Sequence, residues 1–309
     1  MKSKKAYMEI SFSWMFAIIV GAFILFLAIF FVTKFTKTER SFHETKTAKE
    51  IGILLNPLET SFEEGKSTFL STSTNSRIYS KCSLEGEFGY QGILLKEELY
   101  EKWTDINTTI EFKNKYIFAE EPVEGKYFYL FSKPFEFPFE VASLIYIIPK
   151  DEIYCFKDAP SEIKEEIENL NQENFIIDNC EQGNIKVCFG VSTGCQISVS
   201  LTEGRVFKGS KVYSFEENDA LMYAAIFSDK ELYDCQVQRL AKRAYILSKL
   251  YLNKLLLPNY QGCEQYLFQD LNQLSIQLKN FQGPSDLSSM SSVRKSLYNK
   301  NKYSTCTIW

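Results

Sequence analysis

The sequence predicts an α+β fold: a single N-terminal transmembrane helix, a mixed or antiparallel β-sheet domain, and a C-terminal helical hairpin. Three observations carry this. An uncharged apolar run stands near the start, from Ile10 to Val32. Between Arg77 and Phe215, short stretches rich in Ile, Val, Phe and Tyr alternate with turn-forming residues, the pattern of strands. From Asp219 onward the apolar residues recur at three and four, the period of helices.

The apolar run, ISFSWMFAIIVGAFILFLAIFFV, carries no charge. At about 1.5 Å per residue it is long enough to cross a hydrocarbon core. It is too long for the apolar part of a cleaved signal, and no small-residue A-x-A cleavage site follows it. It also lacks the polar face of a helix packed on a soluble core. Trp14 falls near one end, where indoles favour the membrane interface. Lys2, Lys4 and Lys5 before the run are balanced by Lys34, Lys37 and Arg40 after it, so flanking charge does not orient it. The expected organisation is a basic leader over 1–9, the span over 10–32, and a polar stalk or helix continuation over 33–50. An α+β soluble domain over 51–282 and a Ser-rich basic tail over 283–309, of disordered composition, follow.

Within the soluble part, Arg77–Cys82 has strand composition and Gly92–Trp103 reads as a short amphipathic helix, with Leu95, Leu99 and Trp103 spaced at four. Ile110–Ala119, Lys126–Phe131, Ala142–Ile148 and Ile153–Phe156 read as strands. Between them, Lys133–Glu140 (KPFEFPFE) places Phe135, Phe137 and Phe139 on one side of an extended chain. Its prolines exclude a central strand, so it reads as an edge segment pinned to the core rather than an aromatic docking strip. Pro160–Leu170 is a helix with Ser161 near its cap and Ile163, Ile167 and Leu170 facing inward. Its Glu162, Glu165, Glu166 and Glu168 read as a solvated face, not as an acid–base pair or a Ca²⁺ site. Strands follow at Phe175–Asp178, Lys186–Phe189 and Gln196–Leu201, then a hairpin about Lys208-Gly209. Helices are expected over Asp219–Phe227, capped by Asn218, over Leu232–Leu257, and over Cys263–Phe281. Arg239, Lys242, Arg243 and Lys249 are expected to form a solvated basic face on the longest of these.

The eight cysteines, Cys82, Cys155, Cys180, Cys188, Cys195, Cys235, Cys263 and Cys306, all follow the apolar run. None forms a C-x-x-C pair and His43 is the only histidine, which argues against zinc. An even count in an exported domain points to disulfides. Cys188 and Cys195 flank an expected hairpin loop and are placed to bridge it. Cys180 is a candidate partner for Cys235, Cys82 or Cys155. Cys235 and Cys263 begin successive helices, so an antiparallel return sets them about 33 Å apart, too far for a bridge.

No catalytic, cofactor or metal motif survives its context. Gly190-Val191-Ser192-Thr193-Gly194 matches G-x-S-x-G, but a strand follows where the nucleophile elbow needs a helix, and the domain offers no histidine. It reads as a hairpin loop. Gly86, Gly89 and Gly92 have the wrong spacing for a dinucleotide loop, and no G-x-x-x-x-G-K-[ST] is present. A Ser–Lys or carboxylate hydrolase leaves no local pattern to read. The net charge of −4 gives no footprint for nucleic acid. Asn107-Thr108-Thr109 is an N-glycosylation acceptor pattern and, with the cysteines, favours an outward-facing domain.

Lys4-Lys5-Ala6-Tyr7-Met8-Glu9, followed directly by the apolar helix, resembles the class III signal peptides of archaeal type IV pilin-like proteins. That resemblance implies a cytoplasmic leader, cleavage after Ala6, Tyr7 as the new N-terminus, and Glu9 as the acidic residue that registers neighbouring subunits. The family usually has Gly before the cut, Gln after it, and its Glu two residues further on. The rest of the chain is similar to archaeal membrane-anchored proteins, a likeness that implies no activity. The expected function is a membrane-anchored extracytoplasmic protein with a structural or interaction role, a pilin-like subunit or accessory factor. Its expected partners are membrane lipid, further copies of itself or other surface proteins, with no nucleic acid and no cofactor. The alternatives are an anchored hydrolase without histidine and a cytoplasm-facing assembly factor.

Overall fold

The computed structural model describes residues 12–54, 67–99, 101–104, 109–190, 194–257, 264–303 and 307–309. Helix α1 runs from Phe12 to Leu54 without interruption, about 65 Å at 1.5 Å per residue. The stretch Trp14–Phe35 is, among the described residues, the one helical segment long and apolar enough to cross a membrane, and none of it is buried against the protein. Residues 33–50 therefore continue the helix rather than form a separate stalk.

The next elements close on themselves. Strand β1 (Thr68–Ser83) pairs antiparallel with β2 (Tyr90–Leu99) through its second half and with β6 (Val123–Glu136) mainly through its first. A register shift between Ser71 and Ser76 lets one long strand serve two neighbours. Strand β7 (Glu140–Pro149) pairs antiparallel with β6. The two-residue β3 (Lys102–Trp103) pairs with the end of β2. Strands β4 (Ile110–Phe112) and β5 (Tyr116–Phe118) are two halves of one bent strand: β4 pairs antiparallel with β2, and β5 pairs parallel with β7. The path β1–β2–β4/β5–β7–β6 thus returns to β1 as a five-stranded barrel. Its third and fifth strands are parallel, which is the connectivity of an OB-type barrel.

Every strand of the closed path sends apolar side chains inward. Leu70, Ile93, Ile117, Phe128 and Ile145 belong to this filled interior, as side chains fill small barrels generally. The opposite faces of β5, β6 and β7 carry Tyr116, Phe131, Leu144 and Tyr146 into a second, larger core. A strand buried on both sides reads as a continuous apolar run. This explains why residues 92–99 are strand, in place of the helix expected over Gly92–Trp103. Ile93, Leu94 and Leu95 are all buried, and a run without alternation cannot separate the two periods. Pro134 sits in β6 beyond Leu130, where pairing with β1 has ended. Phe135, Phe137 and Phe139 are buried, so this segment is pinned to the core as expected.

A second sheet lies beyond the barrel, formed by β8 (Tyr154–Lys157), β9 (Phe175–Ile177), β10 (Ile185–Phe189), β11 (Ile197–Ser200), β12 (Arg205–Lys208) and β13 (Lys211–Ser214). Its order is β13-β12-β11-β10-β8-β9. Helix α2 (Ser161–Leu170) links the parallel pair β8 and β9 and buries Ile163, Ile167 and Leu170; Pro160, not Ser161, occupies its cap. Strands β12 and β13 form the expected hairpin. Strands β10 and β11 do not: they pair in parallel. A parallel connection usually needs a dozen or more residues. Here Gly190 and Gly194, both at positive φ, lie in a shorter return that the Cys188–Cys195 disulfide closes.

Four helical segments complete the core. Helix α3 (Asp219–Phe227) is buried from Ala220 on, and its Asn218 cap accepts from Leu221 N at 3.0 Å. Helix α4 spans Lys230–Leu255 and α5 spans Glu264–Lys279. After a 3₁₀ turn at Pro284–Asp286, α6 spans Leu287–Tyr303. Residues 283–309 are thus not a free tail. Leu287, Met290, Val293 and Leu297 form a buried stripe. Beyond it Asn301 holds the last residues, donating to Trp309 O at 3.1 Å and accepting from Ile308 N at 2.8 Å.

Helix α4 is laid along the barrel, antiparallel to β5. Tyr233 meets Phe118, Gln236 Nε2 donates to Ile117 O at 3.2 Å and to the Gln91 side chain, and Arg239 reaches the β4–β5 bend. The Arg239 guanidinium donates to Lys115 O (2.9 Å), Lys113 O (3.0 Å), Phe88 O (3.2 Å) and Gln236 Oε1 (2.7 Å), and it lies over the Tyr116 ring. Arg239 is completely buried, which overturns its place on a solvated basic face. Lys242 is also engaged, donating to Leu84 O at 2.6 Å. Gly89 completes the fit: a Cβ there would lie 2.3 Å from Ser83 O and 3.1 Å from Arg239 Cγ. Arg239→Met keeps the volume but leaves those carbonyls unsatisfied. We expect it to cost about 3 kcal/mol or more, whereas Lys249→Met on the exposed side of α4 should change stability by less than about 0.5 kcal/mol. Denaturant unfolding of the two variants checks this.

Candidate functional site

Two clusters of polar side chains stand out. The first lies at the junction of the barrel and the second sheet and is partly exposed. Lys208 Nζ donates to Ser228 O at 3.0 Å and lies 3.4 Å from Glu120 Oε1, while Glu121 N donates to Asp229 Oδ2 at 2.8 Å. Tyr154 Oη reaches Glu152 Oε2 at 3.4 Å. Burial pushes the Lys208 ammonium down and the Glu121 carboxyl up. Burial, then the nearby Glu120 charge, raises Glu152 as well. Lys208 meets Ser228 through its main-chain carbonyl alone; elsewhere Ser296 and Lys300 both donate to Asp270 Oδ2, at 2.6 and 2.7 Å. The Ser228 hydroxyl is fully buried and donates to Ala224 O at 2.5 Å, so it is not presented to a substrate. The cluster joins the barrel's β5–β6 link, the second sheet and the α3–α4 turn.

The second cluster is a surface groove between the β6–β7 tip and α6. Phe137 N donates to Phe139 O at 2.7 Å, closing the tip. Glu136 and Glu140 stand opposite each other in register on its two arms, both exposed. Pro138 and Tyr298 divide the groove into two basins of about 530 and 630 Å³. The smaller basin is lined by ion pairs. Lys133 meets Glu166 at 2.5 Å, and Glu217 meets Arg294 at 3.3 Å and Lys295 at 2.7 Å. The Lys295 hydrogen bond holds the Glu217 carboxyl below its ordinary range. Glu216 and Glu217 both have positive φ, 42° and 47°, a costly conformation for non-glycine residues. It brings Glu217 to the cations of α6. The larger basin is aromatic, walled by Tyr251, Tyr298 and Trp309 over buried Phe139. Burial and the Glu140 charge push the Tyr251 hydroxyl up.

Sequence reasoning pointed to different residues. Ala6, Tyr7, Glu9 and Asn107 lie outside the described residues, as do Ser192, Cys263 and Cys306. The structure brings Cys188 to Cys195, Cys180 to Cys155, and Cys235 to Cys82, across a sequence separation of 153. Of the acidic face on α2, Glu162, Glu165 and Glu168 are exposed, while Glu166 accepts from Lys133 and from Tyr223 Oη. Among the described residues no group of three or more His, Cys, Asp or Glu is placed to hold a metal. One wall of the groove comes from residues 283–309, whose composition predicts a tail. The signal available was the stripe Leu287, Met290, Val293 and Leu297. Comparison of the chain with protein-family models, with curated proteins and with solved structures finds no match.

The cluster around Lys208 makes a pH prediction. Glu152 has a raised folded-state pKa, so its ionised form opposes folding, and that cost disappears as pH falls to its unfolded value near 4.5. Glu152→Gln should therefore melt higher than the parent at pH 7, with the gap closing toward pH 4.5. Thermal unfolding at both values checks this.

Proposed function

We propose that this chain is a single-pass membrane protein whose domain lies outside the cytoplasm and acts by binding or by building a surface structure. The observation that carries this is the set of three disulfides in a domain joined to one span-length helix. Such bonds persist in oxidising compartments and are rare in the cytosol. A binding role is supported by the open groove. The N-terminal resemblance extends the proposal: the leader is cut after Ala6, and the α1 helices of neighbouring copies associate through Glu9.

A membrane-impermeant lysine reagent applied to intact cells tests the topology. The proposal expects labelling of exposed domain lysines such as Lys249 and Lys302. Labelling only after lysis would place the domain in the cytoplasm and favour an assembly factor. N-terminal sequencing tests processing: Tyr7 is expected, and an intact Lys2 or Met1 would contradict it.

A further inference from the structure

We propose that Cys263 and Cys306 are joined by a fourth disulfide, which fastens the last residues of the chain to the start of α5. The chain has eight cysteines. Six are bonded in three pairs, and among the described residues no cysteine is free. Within the chain, Cys263 and Cys306 therefore have only each other as partner. The bond rests on the extracytoplasmic placement proposed above, since disulfides persist in oxidising compartments.

The register of two helices brings these positions together. Helices α5 and α6 run antiparallel. Gln277 Nε2 of α5 donates to Ser289 O of α6 at 3.2 Å. Seven residues earlier on α5, Asp270 Oδ2 accepts from Ser296 Oγ at 2.6 Å and from Lys300 Nζ at 2.7 Å. Positions seven apart lie nearly on one face of a helix. One further step of seven back from Asp270 is position 263. The same step forward from Ser296 and Lys300 covers 303–307. Cys263 and Cys306 occupy those places. Each adjoins a described element: Cys263 precedes Glu264, the first residue of α5, and Cys306 stands between Tyr303, the last of α6, and Thr307.

The residues after Cys306 are held at the same end of the helices. Thr307 Oγ1 donates to Asn301 O at 3.4 Å, Ile308 N donates to Asn301 Oδ1 at 2.8 Å, and Lys254 Nζ of α4 donates to Ile308 O at 2.5 Å. A bridge needs Cα atoms within about 7 Å. The contact between Asp270 and Ser296 shows that side chains as short as cysteine meet across these helices. The bond forms by thiol–disulfide exchange: two S–H bonds here and one S–S bond of an oxidising disulfide partner give one S–S bond here and two thiols on that partner. It would pin the segment that carries Trp309, one wall of the larger basin.

The test counts thiols on the full-length protein. A maleimide is applied to native membranes in denaturant without reductant, and the unreduced protein is then mapped by mass spectrometry. The parent should show no labelled cysteine, and Cys263 and Cys306 should be recovered in one linked peptide pair from a species that runs as a monomer on a non-reducing gel. Cys263→Ser should gain one labelled thiol, at Cys306, and Cys306→Ser one at Cys263. The double variant should again show none. Free thiols at Cys263 and Cys306 of the parent, with the other six cysteines bonded, would overturn the proposal and leave the topology standing. Recovery of either residue in any other linkage, including one between two chains, would also overturn it. Labelling of all eight would overturn the bond and the extracytoplasmic placement together.

Discussion

A guanidinium buried between a barrel and a helix sets the arrangement of this domain. Arg239 carries a charge into a fully buried place, where an uncompensated charge is prohibitive. It is tolerated because main-chain carbonyls from the β1–β2 loop and the β4–β5 bend, with the Gln236 amide, accept its hydrogens. Those acceptors belong to irregular backbone, where no neighbouring strand supplies a ladder. The bend that lets one strand serve both β2 and β7 thus creates the acceptors, and α4 supplies the donor. The Cys82–Cys235 disulfide repeats the attachment covalently, one turn earlier on the same helix. By loop entropy alone, closing so long a loop is worth about 5 kcal/mol.

From that attachment the remainder follows in order. With α4 lying antiparallel to β5, its far end reaches the β6–β7 tip, where Tyr251 meets Phe139 and Trp309. The second sheet shares one core with the outer barrel face and α3. Helix α6 then passes the tip and walls the groove. In OB-type barrels the face of the second and third strands, and the loops joining the first to the second and the fourth to the fifth, are common sites for oligonucleotides and sugars. Here α4 already bonds to the first of those loops, to Gln91 and to the β4–β5 bend. Fold alone carries no function; the groove lies at the loop joining β6 and β7, the fourth and fifth strands of the closed path.

Much of this organisation was legible in the residues. The apolar run, the strand-rich middle and the helical end each carry a distinct period, and Asn218 marks a helix start that the structure keeps. The losses have physical causes. Ile93, Leu94 and Leu95 are buried on both faces, so helix and strand look alike there. The β10–β11 link is short enough to suggest a hairpin, yet its ends run parallel. Arg239 shares its helix with Lys242, Arg243 and Lys249, and nothing local distinguishes a charge that will meet carbonyls far away in sequence. In α6 only one residue in three or four is apolar, and the intervening Ser, Lys and Arg hide the stripe. The groove draws on β6, β7, α3, α4 and α6, so no local pattern announces it.

Peptide mapping of the protein extracted from its native membrane, alkylated before any reduction, tests the central claim most directly. The account requires Cys82 linked to Cys235, Cys155 to Cys180, and Cys188 to Cys195, with none of the six alkylated. Alkylated Cys82 and Cys235 would contradict it, showing that no covalent bond joins barrel and helix and that the domain matures in a reducing compartment.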